Sequence, residues 1–206
     1  MNRVRRSLAI ALSLAPLALA WRGAFAQRNG AYNELNPPQP TESDGKIEVL
    51  EFFWYGCIHC YNLEPKLDTW LKTKPADVAF RRVPAVLSDR WAHDAAVFYS
   101  FEALGVLDKL HRPFFDAIHR DRLRSDSMPA LNAWLEKQGV DPKKFDATAR
   151  SFGVQAKVKR AIRLTSDYKI EGTPAMAVHG RYTIGASDTM LDTVNQLVAS
   201  VRKNKQ

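Results

Sequence analysis

Residues 49–61 read VLEFFWYGCIHCY and place both cysteines of the chain between a predicted strand and a predicted helix. Residues 47–54 form a nearly continuous apolar run, which is typical of a strand buried on both faces of a sheet. Gly56 ends the run. The next segment is predicted to be helical, because an apolar stripe recurs at helical spacing in Leu63, Leu67, Trp70 and Leu71.

The chain on either side of this segment completes the predicted architecture. Residues 78–83 form a second strand candidate, and a strand–helix–strand order implies a parallel pair with a crossover. Residues 91–168 are almost wholly helical in pattern, with helices predicted over 95–104, 106–119, 128–138, 142–152 and 154–168. Residues 175–178 and 181–184 then indicate a hairpin, and residues 188–202 a last helix capped by Asp188 or Ser187. We expect an α/β fold of order βαβ, helical block, ββα, preceded by an extended arm over residues 27–45.

Composition places the chain among ordinary globular proteins. It has 206 residues, of which 46% are hydrophobic and 25% charged, with 10 Gly. Disorder would need fewer apolar residues and collagen far more glycine. The length fits one domain, or one domain with a large insertion. Two cysteines are too few for a disulfide framework.

The first 26 residues have the pattern of a secretory signal. Arg3, Arg5 and Arg6 make the start of the chain basic, and residues 8–20 carry no charge. Ala24-Phe25-Ala26 then fits a signal peptidase site. An uncharged run of this length is too short to cross a bilayer, so we expect cleavage near Gln27 rather than an uncleaved anchor. The removed segment holds four arginines and no acid, which leaves 26 basic against 22 acidic residues. Such a mild excess argues against nucleic-acid binding.

The motif Cys57-Ile58-His59-Cys60 allows several readings. A c-type haem site needs a histidine directly after the second cysteine, where this chain has Tyr61. A zinc site would need two further ligands, and no close pair at ligand spacing exists among His93, His111, His119 and His179. A redox dithiol fits the position best, because a helix N-terminus stabilises the thiolate of Cys57. Two inert buried cysteines are the remaining alternative.

Glu51 interrupts the apolar run of the first strand. A carboxylate on a strand buried on both faces is costly to keep. Burial would raise its pKa, and such an acid can be retained to transfer protons. The alternative is an edge position from which Glu51 reaches solvent.

At this level of detail the chain resembles the DsbA-type periplasmic disulfide oxidases of the thioredoxin superfamily. Residues 49–61 look like the active-site segment of that family, and Gly172-Thr173-Pro174-Ala175-Met176 looks like its cis-proline loop. The resemblance implies a thioredoxin fold with an inserted helical domain, which agrees with the element order above. The resulting division is a signal peptide over 1–26, thioredoxin-like parts over 27–88 and 169–206, and the inserted domain over 89–168.

The resemblance also implies roles for the site residues. Cys57 would be the exposed nucleophile and Cys60 the buried partner, with His59 stabilising the Cys57 thiolate. Thr173 and Pro174 would form a cis peptide bond opposite Cys57 and bind substrate peptide, and Glu51 would lie near Cys60. A solvated histidine at position 59 and an ordinary trans turn at position 174 are the alternatives. Many members of the family have Pro-His between the cysteines where this chain has Ile58-His59, and this dipeptide helps to tune the redox potential.

We therefore predict an exported, periplasmic thiol:disulfide oxidoreductase that donates its Cys57–Cys60 disulfide to folding proteins with free cysteines. The prediction includes no organic cofactor, no metal and a monomeric state. By resemblance, a quinone-linked membrane protein of the DsbB type would reoxidise it. The alternatives are a periplasmic reductase of the same fold and a non-catalytic peptide-binding or chaperone module.

Overall fold

The computed structural model describes residues 30–204, so the predicted signal peptide over residues 1–26 lies outside the described residues. Strands and helices follow in the predicted order, and their bounds are β1 (Asn33–Glu34), β2 (Ile47–Phe53), α1 (Ile58–Thr73), β3 (Val78–Pro84), α2 (Asp89–Ala103), α3 (Leu107–His119), α4 (Met128–Lys137), α5 (Pro142–Ala149), α6 (Phe152–Asp167), β4 (Ala175–Val178), β5 (Tyr182–Ile184) and α7 (Met190–Asn204).

The sheet has the strand order β1-β5-β4-β2-β3. β2 pairs in parallel with β3 and antiparallel with β4, so it has a neighbour on each side. All seven of its residues are buried, as the apolar run of residues 47–54 predicts. β4 and β5 form the predicted antiparallel hairpin. The carboxyl end of β2, an interior strand of the sheet, therefore carries the chain directly to the two cysteines.

Helices α2 to α6 form one block between β3 and β4, and they bury a core rich in aromatic side chains. That core contains Val97, Phe98, Phe101, Leu110, Phe114, Phe115, Leu131, Leu135 and Phe145. Phe53 from the end of β2, Tyr55 and Cys60 belong to the same cluster. The helical block thus packs against the inner side of the cysteine motif and excludes water from it.

Some boundaries differ from the predictions for identifiable physical reasons. The arm contains the two-residue strand β1, which is too short for a periodic signal and is held by its pairing with β5. α2 begins at Asp89 rather than residue 95, because residues 89–94 form a helical turn that lacks an apolar stripe. α5 ends at Ala149 rather than residue 152, because Ser151 accepts a hydrogen bond from Val154 N–H and caps the next helix. A cap at Asp188 predicts that α7 begins at residue 189, whereas the helix begins one residue later, at Met190.

Among residues 30–204, every helix is too short or too polar to cross a membrane.

Candidate active site

Cys57 occupies the N-terminal end of α1. It is the N-cap residue, with an extended backbone (φ −86°, ψ 115°), and its own side chain makes no capping hydrogen bond. Its backbone N–H donates to the carbonyl oxygen of Trp54 at 3.0 Å, which closes a tight turn between strand and helix. The first backbone N–H groups of a helix lack intrahelical acceptors and lie at the positive end of the helix dipole. The half-buried Cys57 Sγ therefore lies where a negative charge is stabilised, as predicted.

At position 56, in the turn before Cys57, there is room for glycine but not for a larger residue. A Cβ atom there would lie 2.3 Å from Cζ2 of Trp54, well inside van der Waals contact. The Trp54 ring is held in place because it stacks on Trp91 with a centroid distance of 4.5 Å. Its indole N–H also donates to the buried carboxylate of Asp94 at 2.7 Å. Helix α2 thus supports the segment that presents the nucleophile.

The surroundings of Cys57 favour its thiolate and lower its pKa to about 5. The largest cause is a hydrogen bond from the Cys60 thiol, which outweighs the opposing effect of burial. The Thr173 side chain and the backbone N–H groups of Cys60 and His59 lower the pKa further. A thiol with this pKa is ionised at neutral pH, so Cys57 can both attack a sulfur atom and leave from one readily.

Cys60 is fully buried and has the opposite character. Burial, the hydrogen bond with Cys57 and the charge on Cys57 raise the pKa of Cys60 far above its ordinary value. Both cysteines are free thiols in this structure. Cys60 keeps its proton while Cys57 loses its own. As for the zinc alternative, no group of three or more His, Cys, Asp or Glu suited to a metal ion occurs in residues 30–204.

The loop before β4 lies directly opposite Cys57. The Thr173–Pro174 peptide bond is cis, as predicted. The carbonyl oxygen of Thr173 is 3.3 Å from Cys57 Sγ and accepts a hydrogen bond from the protonated thiol. Fold topology alone brings these two residues together, since they are 116 positions apart in the chain.

His59 is exposed on the first turn of α1. Its backbone N–H stabilises the Cys57 thiolate. Its side chain lines a cavity of about 460 Å³ that also borders Lys66, Pro174 and Asp188. The cavity lies beside the cis-proline loop, on the side of α1 that is open to solvent.

Glu51 is fully buried in β2, which excludes the edge position considered above. Its Oε2 lies 3.1 Å from Nε of Arg82, and Nη2 of the same guanidinium lies 3.1 Å from Oε2 of Glu64. Burial and the charge of Glu64 together raise the pKa of Glu51 to about 8, against the opposing effect of Arg82. Glu51 is therefore largely protonated at neutral pH. When Glu51 is ionised, its charge raises the pKa of Cys60.

Three further residues that the sequence motifs did not predict belong to the site, namely Glu64, Arg82 and His111. Glu64 follows Cys60 by four residues on the buried face of α1, so helical periodicity would have placed it beside that cysteine. Arg82 lies opposite Glu51 in the parallel register of β2 and β3. His111 comes from α3, and no local pattern connects it with the cysteines.

Comparison with known proteins identifies the family. Residues 77–198 match the family model described as DSBA-like thioredoxin domain. The thiol:disulfide interchange protein DsbA of Bordetella parapertussis is 42% identical over 201 residues, covering 92% of this chain and 96% of that protein. The crystal structure of DsbA from Pseudomonas aeruginosa superposes with a TM-score of 0.79 at 34% identity, covering 85% of this chain and 94% of that one. The crystal structure of the oxidoreductase DsbA from Xylella fastidiosa also gives 0.79, at 31% identity over 84% of this chain and 96% of that one. The chain therefore belongs to the DsbA family of thiol:disulfide oxidoreductases, with a thioredoxin fold that carries an inserted helical domain.

Proposed function

We propose that this thiol:disulfide oxidoreductase is exported and works as an oxidase, with Cys57 as its nucleophile and Cys60 as the resolving cysteine. The observation that carries the proposal is the opposite shift of the two pKa values, with Cys57 lowered to about 5 and Cys60 raised. A thiolate of low pKa is a good leaving group and a stable product, so the Cys57–Cys60 disulfide is readily reduced and passes to other proteins.

The reaction proceeds through a mixed disulfide at Cys57. A substrate thiolate attacks Cys57 Sγ, the bond to Cys60 breaks, and Cys60 leaves with the electron pair and takes up a proton. A second substrate thiolate then attacks the substrate sulfur of the mixed disulfide, and Cys57 leaves as the thiolate. The substrate loses two electrons and the enzyme gains them. Of the two protons that the substrate thiols lose, one remains on Cys60 and one goes to solvent.

The neighbouring residues support these steps. The backbone of Thr173 and Pro174 faces Cys57 Sγ and would hold an extended substrate segment by main-chain pairing, as in strand addition. His59 would add positive charge near the thiolate from the exposed turn of α1. Glu51, protonated in the resting protein, would supply the proton that Cys60 takes up as it leaves.

The partners and the domain division belong to the same proposal. The substrates would be exported proteins with free cysteines, reached in the periplasm after cleavage of residues 1–26. A quinone-linked membrane protein of the DsbB type would reoxidise the dithiol, and the enzyme would act as a monomer. Residues 27–88 and 169–206 would form the thioredoxin-like unit, and residues 89–168 the inserted helical domain.

Brief alkylation at pH 7 followed by peptide mapping tests the assignment of the nucleophile. The label should fall on Cys57, because it is ionised and half-buried whereas Cys60 is protonated and fully buried. Predominant labelling of Cys60 would reverse the two roles. In parallel, Cys57→Ser should abolish oxidation of a reduced peptide substrate, whereas a chaperone module would keep its activity.

A redox titration of Cys57–Cys60 against glutathione separates the oxidase from the reductase. An oxidase should already be fully reduced when reduced glutathione makes up only a small fraction of the glutathione in the buffer. A dithiol that stays oxidised until glutathione is in large excess would support the reductase alternative.

A further inference from the structure

A buried row of polar side chains leads away from Glu51 towards the surface. Glu51 and Glu64 contact Nε and Nη2 of Arg82, each at 3.1 Å. These two nitrogens form one edge of the guanidinium group, so the two carboxylates lie side by side on it. Oε1 of Glu64 then faces Nε2 of His111 at 3.6 Å, and Nδ1 of His111 is 2.9 Å from the hydroxyl oxygen of Tyr55.

The row ends at a cavity. A space of about 250 Å³ is lined by Glu64, Arg82 and His111 on its inner side, and by Asp68, Asp108 and Arg112 towards its mouth. Since one water molecule occupies about 30 Å³ in the liquid, several waters fit in it. Oε1 of Glu64 and Nε2 of His111 are buried and lack hydrogen-bond partners among the described residues. Polar atoms in this situation are normally satisfied by water.

The proposed reaction needs such a route for protons. Cys60 must gain a proton each time the disulfide is reduced and lose it each time the disulfide closes. Glu51 can exchange that proton with Cys60, but Glu51 itself has no exposed surface. Arg82 stays protonated and therefore cannot pass a proton along. The carboxylate of Glu64, held beside that of Glu51, provides a path that avoids the guanidinium group.

We propose that protons enter and leave this carboxylate pair through His111, which accepts them from water in the cavity and passes them to Glu64. The inference rests on the proposed function, because only the redox cycle of Cys60 requires this exchange. In the reductive direction the proton moves from cavity water to His111, then to Glu64, Glu51 and finally the Cys60 thiolate. In the closing direction it moves the opposite way, and no further reactant is needed.

The groups around His111 suit this task. Tyr55 packs against its ring from the strand–helix turn, and burial raises the pKa of that phenol well above its ordinary value. Tyr55 therefore stays neutral, and its hydroxyl oxygen can accept a hydrogen bond from Nδ1–H of neutral His111. This tautomer leaves Nε2 unprotonated towards Glu64, so that it can take up a proton from cavity water. Burial lowers the pKa of His111, against the opposing effect of Glu64, so the ring is neutral at rest and releases an added proton readily.

The charged neighbours of His111 come from three elements. Glu64 and Asp68 lie on α1, Arg82 on β3, and Asp108 and Arg112 on its own helix α3. The charge of Asp68 raises the pKa of His111 and that of Arg82 lowers it. For Glu64, burial acts to raise the pKa, but the neighbouring His111, Arg82 and Arg112 outweigh burial and lower the pKa. The pair at rest is thus a carboxylate and a neutral imidazole, ready to share one added proton.

The test uses the two thiol steps of a single turnover. The reduced protein is mixed with glutathione disulfide, quenched with acid at intervals, alkylated and analysed by mass spectrometry. Formation of the mixed disulfide at Cys57 needs no proton from Cys60, whereas closing of the Cys57–Cys60 bond requires Cys60 to lose its proton. The first step therefore serves as an internal control for the second.

We expect His111→Ala and His111→Gln to slow closing about 10-fold. This is less than the roughly 100-fold or more that a general acid–base group in direct contact with the reacting atoms contributes, because His111 acts through Glu64. Formation of the mixed disulfide should be unchanged. Added imidazole should restore closing in His111→Ala, which leaves a space continuous with the cavity, but not in His111→Gln. The matched controls are the same changes at His93, which bonds to the backbone of Ser125 and lies outside the row. They should behave like the wild type with and without imidazole.

Closing rates within twofold of the wild type in both variants would overturn the inference, and so would slow closing in His111→Ala that imidazole leaves unchanged. If these variants fail to fold, the wild type decides alone: closing, but not mixed-disulfide formation, should slow in D2O, and equal rates in both solvents refute the route. Failure of the wild type to form any mixed disulfide at Cys57 would instead reject the proposed function itself.

Discussion

At the scale of single residues, two cysteines three positions apart differ because their surroundings differ. The Cys57 sulfur accepts hydrogen bonds at an open helix end, whereas the Cys60 sulfur is enclosed by the aromatic core. The proton of Cys60 forms the largest stabilising contact of the Cys57 thiolate. The same hydrogen bond therefore lowers the pKa of Cys57 and raises the pKa of Cys60, so that Cys57 is ionised while Cys60 keeps its proton.

His59→Ala should raise the pKa of Cys57 by about half a pH unit. The substitution removes a side chain that can carry positive charge beside the thiolate. The effect is small because His59 is exposed and exposed charges are screened. The Cys60 thiol and the backbone N–H groups, which contribute most of the stabilisation, stay in place.

Thiolate absorbance at increasing pH gives the midpoint for the wild type and the variant. Asn62→Ala, which removes an exposed neutral side chain from the same helix turn, is the matched control and should leave the midpoint unchanged. An unchanged midpoint in His59→Ala would remove the histidine from the site.

At the scale of elements, the arm and the β4–β5 hairpin depend on each other. Gly180 at the hairpin turn has φ +66°, and its carbonyl oxygen accepts a hydrogen bond from Gln39 N–H at 2.7 Å. A Cβ atom at this position would lie 2.0 Å from the carbonyl oxygen of Gln39. Glycine at this position therefore allows both the turn and the close approach of the arm.

Gly180→Ala should lower the free energy of unfolding by about 3 kcal/mol, part from the left-handed backbone and part from the collision with the arm. Gly139→Ala is the matched control, because Gly139 has φ +79° and nothing within 4 Å of a built Cβ atom. It should cost only about 1 kcal/mol. Urea unfolding of both variants measures the difference, and equal losses would mean that the arm moves aside without cost.

At the scale of the whole molecule, the redox state and the stability of the fold are linked through Cys57. Folding lowers the pKa of this thiol, so it stabilises the reduced form fully above the unfolded value near ~8.5. The stabilisation declines below that value and is lost as the pH falls through about 5. The disulfide stabilises the oxidised form by roughly 2 kcal/mol at every pH, because it closes a short loop in the unfolded chain.

The more stable form should therefore change with pH. At pH 8 the thiolate contributes roughly 4 kcal/mol, which partial exposure reduces to roughly 3, so the reduced protein should unfold at the higher urea concentration. At pH 4 the thiolate contribution is gone and the oxidised protein should be the more stable form by roughly 2 kcal/mol. Urea titrations of both forms at the two pH values measure this. A more stable oxidised form at pH 8 would make the protein a weak oxidant and favour the reductase alternative.

The sequence by itself determined the order of the elements and the dithiol at a strand–helix junction. It favoured a buried Glu51, and the structure decided against the edge position. Each of these follows from local patterns, namely apolar periodicity, glycine positions and a charge within an apolar run. Resemblance to a known family added the cis bond before Pro174 and the oxidase reading. Some helix boundaries could not be predicted in this way. α2 begins at Asp89, for example, because its first turns contain no apolar residues at helical spacing that would mark them as helix.

Only the tertiary structure decided which distant groups meet at the dithiol. Thr173 reaches Cys57 from 116 positions away, and Arg82 joins Glu51 to Glu64 because β3 pairs in parallel with β2 in that register. His111 arrives on a helix of the inserted block and borders the cavity beside Glu64. The physical reason is that periodicity specifies which face of an element is buried, whereas partners across that face depend on how whole elements pack.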